Sequence, residues 1–172
     1  MKPKFITREE LESLEFHDSV FRSIEIFFSD GNSRGCQIQI DYYDWEGNEA
    51  RRKANPSSEW VWKALTITLG YLACFEYSAP DLLNRAQDID ELQFDHELDG
   101  LRKQEEKQKR LFPKSRSPLF DSKGPALSLK FLTENGDEES QGYVLVVGSE
   151  VTLEWGSFDS YTGQTHIPVD DA

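Results

Sequence analysis

Two-residue alternation of apolar and polar side chains runs through most of this chain and limits what it can fold into. It is clearest between Trp60 and Tyr77, where one parity carries Leu65, Ile67, Leu69, Tyr71, Ala73, Phe75 and Tyr77. Successive side chains of a β-strand point to opposite faces, so this spacing predicts a long strand and fits a helical period poorly. A strand of this length usually bends, and Gly70 is the expected place for a β-bulge. A buried helix is the alternative for a segment this apolar.

The same alternation predicts five further strands, arranged as hairpins. The strand at about 19–29 and its returning arm have these apolar positions: Val20, Ile24, Ile26 and Phe28, then Cys36, Ile38, Ile40 and Tyr42. The C-terminal third has three such sets: Leu127, Leu129 and Phe131; Tyr143, Leu145 and Val147; Val151, Leu153 and Trp155. The pair Asn135–Gly136 is typical of a type I′ hairpin turn, and Gly148–Ser149 predicts a second tight turn.

One helix is well specified near the N-terminus. Thr7-Arg8-Glu9-Glu10 has the sequence of a capping box, which predicts a short helix over residues 8–15. Residues 47–58 are predicted to form a polar loop. Residues 99–124 are predicted to be a polar excursion, solvent-exposed if helical and otherwise a mobile loop, and residues 157–172 a frayed tail.

These elements together predict a mainly β (α+β) fold. We expect an antiparallel sandwich or half-barrel of about six strands, because a sheet with one apolar face must cover that face. One short N-terminal helix and a polar insertion, helical or looped, complete it. A length of 172 residues fits a single domain over residues 1–172.

The side-chain charge is one-sided. The chain has 19 Lys and Arg against 32 Asp and Glu, a formal net charge of −13, and residues 131–172 contain no Lys or Arg at all. Such a charge argues against nucleic acid and anionic membranes as partners and favours a basic protein. The predicted partner-binding residues are Glu134, Asp137, Glu138, Glu139, Glu150 and Glu154. The alternative is that these carboxylates only keep the protein soluble.

The sequence also bears on the cellular compartment. No apolar run approaches the ~20 residues of a membrane span. Met1-Lys2-Pro3-Lys4 is not followed by the apolar segment of a signal peptide. Two cysteines, Cys36 and Cys74, do not make a disulfide framework. We therefore expect a soluble cytoplasmic protein, and its oligomeric state stays open.

Three sets of residues could do chemistry, and each has a simpler structural interpretation. In Phe16-His17-Asp18-Ser19, neighbouring side chains of an extended chain diverge, so a helix-to-strand turn is favoured over a His–Ser catalytic pair. Asp95-His96-Glu97 lacks the ligand spacing of a calcium or zinc site. Cys36 fits a buried apolar position, and Cys74 has no nearby group to activate its thiol. We expect no catalytic residue, no metal and no cofactor.

Two other functions stay open. Trp45, Trp60 and Trp62 flank the predicted polar loop and could form the platform of a small-ligand or carbohydrate-binding module. Packing at the end of a hairpin is the commoner use of such residues. An enzyme, such as a hydrolase, would need Asp95-His96-Glu97 to converge with His17 or His166 in one cleft.

The first 45 residues or so resemble a loosely defined set of small bacterial proteins. The matching residues are Phe16-His17-Asp18-Ser19 after a short helix and Ser23-Ile24-Glu25-Ile26 in an alternating strand; residues 65–69 and 143–155 fit the same style. Some proteins of this kind are similar to immunity proteins of polymorphic toxin systems. The resemblance implies a non-enzymatic cytoplasmic binding protein that docks a basic toxin through an acidic face. It does not explain the basic run at 102–116.

Overall fold

The computed structural model describes residues 4–29, 33–78, 87–94, 98–114, 117, 119, 121–133 and 142–156. The helices are α1 (Arg8–Glu12), α2 (Trp45–Ala54) and α3 (Leu98–Leu111). The strands are β1 (Ser19–Ser29), β2 (Ser33–Tyr43), β3 (Trp62–Tyr77), β4 (Gln87–Phe94), β5 (Ala126–Thr133) and β6 (Gly142–Trp155). Of the described helices, none has the length and apolar character needed to cross a bilayer.

The six strands form one antiparallel sheet that curves until it closes, in the order β1-β2-β3-β6-β5-β4. The prediction of a mainly β fold with about six antiparallel strands and a short N-terminal helix is confirmed. Closure depends on a short pairing of β1 with β4, in which Ser19, Val20 and Phe21 lie opposite Ile89, Asp88 and Gln87. The other neighbouring strands pair over longer stretches.

Two hydrophobic clusters hold the molecule together. The larger fills the barrel with fully buried side chains of alternate strand positions: Cys36, Ile38, Ile40, Leu65, Ile67, Leu69, Leu129, Phe131, Val144 and Val146. The smaller lies outside the barrel, where Leu98 and Leu101 of α3 pack with Leu145 and Val147 of β6. Strand β6 is therefore covered on both faces, as its nearly continuous burial indicates.

The long alternating segment is a strand, β3, and the helix alternative is wrong. Its bulge, however, is not at Gly70. The register with β6 shifts between Leu72 and Cys74, so Leu72 packs in the barrel while Ala73 and Cys74 both pack in the outer cluster. The extra residue at the bulge allows both Ala73 and Cys74 to face the outer cluster. The position of Gly70 in the sequence does not indicate this packing.

A second bulge changes which residues of β1 face the barrel. The register with β2 shifts between Phe21 and Ser23. Phe21 lies opposite Ile40 and belongs to the barrel core, whereas Val20 lies opposite Asp41. The single apolar parity predicted from Val20 to Phe28 is therefore wrong at its start, because the bulge exchanges the two faces.

The C-terminal strands differ from the prediction in two ways. Residues 143–147 and 151–155 belong to one continuous strand, β6, and the predicted turn at Gly148–Ser149 is wrong. Gly148 is needed for close approach instead, since an added Cβ would lie 2.1 Å from the backbone oxygen of Tyr71. The missed strand is β4, whose frequent acids hide the buried Ile89 and the half-buried Leu92. The predicted turn at Asn135–Gly136 lies outside the described residues.

The polar segments are more helical than expected. The loop predicted at 47–58 is wrong over its first part, which belongs to α2. The polar excursion at 99–124 contains most of α3. Two contacts hold this helix to the segment that follows it: Lys109 forms an ion pair with Asp121, and the Glu105 carboxylate accepts from Leu119 N at 3.1 Å. The capping box of α1 is present, with the helix ending at Glu12 instead of residue 15.

We expect Gly148→Ala to lower the free energy of unfolding by about 2–3 kcal/mol, because its methyl group would overlap the backbone of β3. Gly70→Ala is the matched control. Its Cβ would lie 3.2 Å from Glu150 Cβ, so we expect a change of about 1 kcal/mol or less. Urea unfolding followed by tryptophan fluorescence measures both variants. Equal stability of the two would contradict the close-approach role of Gly148.

Candidate functional site

An open cleft of about 590 Å³ lies between the C-terminal end of α1, the turn into β1 and strand β4. Its apolar lining consists of Leu14, Phe16, Leu92 and Phe94. Its polar lining consists of Glu12, Ser13, Glu15, His17, Asp90 and Glu91. Four carboxyl groups thus share one concave surface with four apolar side chains. We call this surface the acidic cleft.

Helix α1 is fixed in place by its cap and by one buried side chain. Thr7 Oγ1 accepts from Glu10 N at 3.3 Å, and Thr7 N donates to Glu10 Oε2 at 2.9 Å. The Lys4 ammonium, and then the Thr7 amide, lower the pKa of the Glu10 carboxyl. Leu11 is fully buried in the barrel core. The end of α1 is therefore held against the barrel, which sets one wall of the acidic cleft.

The turn from α1 into β1 brings Phe16 and His17 to the lining of the acidic cleft. Phe16 packs edge-to-face on Tyr42 and Phe131, each with ring centroids 5.7 Å apart. Asp18 takes a left-handed φ of 61°, which aspartate tolerates better than most residues. The Ser19 hydroxyl is fully buried and accepts from Tyr43 N at 3.0 Å. It is therefore used in the fold and is not exposed as a nucleophile.

His17 joins the acidic cleft to the neighbouring aromatic residues. Its Nδ1 lies 3.6 Å from Asp90 Oδ1, and its Nε2 lies 3.7 Å from Asp18 Oδ1. The imidazole is stacked on Trp45, with centroids 6.3 Å apart and planes 7° from parallel. His17 therefore lies between two carboxylates and against an indole ring, where the acidic cleft meets Trp45.

A guanidinium of the chain itself lies at the edge of the acidic cleft. Arg8 Nε is 2.5 Å from Glu12 Oε1, and Arg8 Cζ is 5.4 Å from the centroid of the Phe94 ring. Both Glu12 and Phe94 line the cleft. The lining thus offers a guanidinium a carboxylate together with an aromatic face, a combination that suits arginine.

The three tryptophans predicted as a platform do converge, on one buried side chain. The ring of Tyr43 lies 4.9 Å from Trp45, 5.7 Å from Trp60 and 5.4 Å from Trp62, centroid to centroid. Burial raises the pKa of the Tyr43 hydroxyl. We call these four residues the aromatic cluster.

Much of the surface of the aromatic cluster is already used within the protein. The indole N–H of Trp45 donates to His17 O at 3.2 Å, and that of Trp62 donates to Asp18 O at 3.4 Å. The Arg52 guanidinium lies over Trp60, with Cζ 4.2 Å from the ring centroid. The cluster therefore fastens the turn before β1 to α2 and β3.

Helix α2 presents Trp45 and Arg52, and two polar side chains fix it. Asp44 caps its N-terminus by accepting from Gly47 N at 3.1 Å and also pairs with Lys63 of β3. Asn48 is buried and binds both backbone groups of Val61, each at 3.0 Å. These bonds explain why a polar segment forms a docked helix here.

Of the residues predicted to bind a partner, the two that the structure describes, Glu150 and Glu154, do not line the acidic cleft. Glu134, Asp137, Glu138 and Glu139 lie outside the described residues. Glu150 has a left-handed φ of 57°, and its Oε1 accepts from Lys123 N at 2.9 Å, so it holds the segment before β5. Glu154 is exposed on β6, opposite Thr66 of β3.

The remaining candidates for chemistry are easily placed. Asp95, His96, Glu97 and His166 lie outside the described residues. No group of three or more possible metal ligands occurs in the part of the chain that the structure describes. Cys36 is fully buried, and burial raises the pKa of its thiol to about 11, so the reactive thiolate is scarce near neutral pH.

Sequence reasoning missed the carboxylates of the acidic cleft because they come from two distant segments. Glu12 ends α1 and Glu15 lies in the segment that follows it, whereas Asp90 and Glu91 belong to β4. The available signal was the apolar set Ile89, Leu92 and Phe94 within the acidic stretch, since buried positions there indicate a strand.

No protein-family model, curated protein or solved structure matches this chain.

We expect Asp44→Ala to destabilise the protein by about 1–2 kcal/mol, because it removes the cap of α2 together with the Lys63 ion pair. Asp44→Asn keeps a capping side chain and removes only the charge, so its cost near pH 7 should be smaller. The Lys63 hydrogen bond, and then the Gly47 amide, lower the pKa of the Asp44 carboxyl.

A carboxyl group whose pKa is lower in the folded than in the unfolded state stabilises the fold at pH values above its unfolded-state pKa. That stabilisation is lost as the pH falls through the folded-state pKa. The difference between wild type and Asp44→Asn should therefore shrink towards zero in acid. Urea unfolding at a series of pH values measures it. A difference that is constant down to acid pH would argue against the ion pair.

Proposed function

We propose that this chain is a non-enzymatic binding protein that docks a basic protein, with an arginine or lysine side chain of the partner entering the acidic cleft. The observation that carries this proposal is the position of Arg8 between Glu12 and Phe94. A partner's guanidinium would find the same chemistry elsewhere on the cleft lining, where Glu15, Asp90 and Glu91 add three carboxylates. An aromatic or aliphatic wall would contact the side-chain stem.

Charge supports the same kind of partner. A net charge of −13 attracts a cationic protein from beyond contact distance and raises the rate of encounter. The apolar part of the cleft would then supply contacts that persist at high salt. We therefore expect charge to raise the rate of association and apolar burial to hold part of the complex together.

The resemblance to immunity proteins gives this proposal its specific form. Its Phe16-His17-Asp18-Ser19 motif is the turn before β1, and both Phe16 and His17 line the acidic cleft. We therefore propose that the docked partner is a basic toxin and that the protein neutralises it in the cytoplasm. If a reading frame beside this gene encodes a basic protein, that product is the partner to test first.

Co-expression tests the neutralising role. The adjoining product should arrest growth when expressed alone and be tolerated when this chain is expressed with it. Growth arrest that persists in the presence of the folded chain would sink the immunity proposal. Binding of that product without rescue would leave docking intact and remove neutralisation.

We expect the double variant Glu15→Gln/Glu91→Gln to slow association with that partner about three- to tenfold at ~50 mM salt, because two charges of the cleft are lost. The effect should largely vanish at ~500 mM salt, where the Debye length is only a few ångströms. Stopped-flow fluorescence measures the rates.

The matched control is Glu49→Gln/Glu59→Gln, which removes the same charge from residues that do not line the cleft. It should change the rate less than about twofold. Equal slowing by the two double variants would mean that net charge, and not the cleft, steers the partner. Binding of the partner by the C-terminal acidic residues is a separate prediction. The variant Glu154→Gln tests it, because this change leaves the hydrogen bond between Glu150 and Lys123 intact.

A carbohydrate or small-ligand module is the second candidate, because Trp45, Trp60 and Trp62 do lie together. Their contacts with Tyr43, Arg52 and the turn before β1 disfavour an open stacking platform. Titration with oligosaccharides should therefore leave the tryptophan emission unchanged. A saturable shift in emission would favour the module over the docking protein.

A further inference from the structure

Among the described residues, two phenylalanine rings line the acidic cleft, and they differ in what they offer a ligand. Phe16 is only 3% exposed and packs edge-to-face against two rings of the barrel core. Phe94, the last residue of β4, is half-buried, and a guanidinium lies over its ring. An aromatic contact with a cation in the cleft is therefore a contact with Phe94.

The guanidinium over that ring belongs to Arg8, the first residue of α1. Its Cζ lies 5.4 Å from the centroid of the Phe94 ring, and its Nε lies 2.5 Å from Glu12 Oε1. Glu12 is one turn further along α1, whereas Phe94 belongs to β4, so two distant segments hold one cation. A planar guanidinium can stack on a ring while its N–H groups donate to a carboxylate. We call Glu12 and Phe94 the guanidinium subsite.

We propose that the guanidinium subsite selects arginine over lysine in the partner, and that the partner's arginine replaces Arg8 there. This inference rests on the proposed docking of a basic protein in the acidic cleft, and it names the side chain that enters. The ammonium of lysine is a compact, strongly hydrated charge without a planar face, so it gains less from contact with Phe94. Phe94 is therefore the residue that sets the preference.

Arg8 is held weakly enough to be replaced. The side chains of Arg8 and Glu12 are 43% and 41% exposed, and exposed ion pairs four residues apart on a helix are weak. While Arg8 is in place, the subsite accepts a partner only in the fraction of molecules where Arg8 has moved away. The apparent affinity is reduced by that fraction. Arg8 thus acts as a competitor that belongs to the chain itself.

Titration of the full chain with two small probes tests the preference. N-acetyl-arginine amide and N-acetyl-lysine amide each carry one positive charge, so their net charges match. Nuclear magnetic resonance of the isotope-labelled protein at constant ionic strength follows the backbone amides of Glu12 and Leu92, which both line the cleft. We expect the arginine probe to bind about fivefold more tightly than the lysine probe. Equal affinity for the two probes, or no shift with either, would overturn the proposal.

A variant of Arg8 tests the replacement. Arg8→Gln should lower the Kd of the arginine probe about three- to fivefold, because the competitor is gone. Arg110→Gln is the matched control, since Arg110 forms the same kind of exposed pair with Glu106 on α3 and does not line the cleft. It makes the same change in net charge and should alter the Kd less than about twofold. Equal effects of the two variants, or no effect of either, would overturn the replacement of Arg8.

A variant of Phe94 tests the origin of the preference. Phe94→Leu keeps an apolar side chain against the barrel core but removes the ring face. The ratio of the Kd values of the two probes should fall from about fivefold to less than about twofold. Because both values come from one variant, the ratio does not depend on how much of the protein is folded. A ratio equal to that of the wild type would contradict the role of Phe94.

The probes and the partner separate this inference from the proposed function. If the partner docks through lysine side chains alone, the two probes bind equally while Glu15→Gln/Glu91→Gln still slows the partner's association, and only the inference fails. If the arginine probe binds as expected but that double variant does not slow association, only docking in the acidic cleft fails.

Discussion

The short pairing of Ser19–Phe21 with Gln87–Ile89 is the constraint on which the rest of the structure depends. It turns a curved six-stranded sheet into a closed barrel and thereby fixes β4 beside the turn that follows α1. The acidic cleft is the space between these elements, so its four carboxylates are neighbours only because the barrel closes.

Much of the fold could be predicted from side-chain alternation, because burial on one face of a strand selects residues locally. This holds for β1, β2, β3 and β5, and the capping box of α1 is a purely local signal. The misses have tertiary causes. Strand β4 has acidic residues at its exposed positions, which hide its apolar ones. Gly148 allows β3 to approach closely and does not form a turn. Helix α2 depends on the hydrogen bonds between Asn48 and Val61.

The candidate site was harder to predict than the fold, because the distribution of acidic residues along the sequence does not show which carboxylates share a surface. Glu150 lies in the stretch that has no Lys or Arg, but its carboxylate binds the backbone of Lys123. Glu15 and Glu91 come from distant segments and line the same cleft. The tryptophans show the converse. The clustering of the tryptophans could be expected, because they flank one segment of the sequence. Their contacts could not be expected, because these are made with the Tyr43 ring and with the backbone carbonyls of His17 and Asp18.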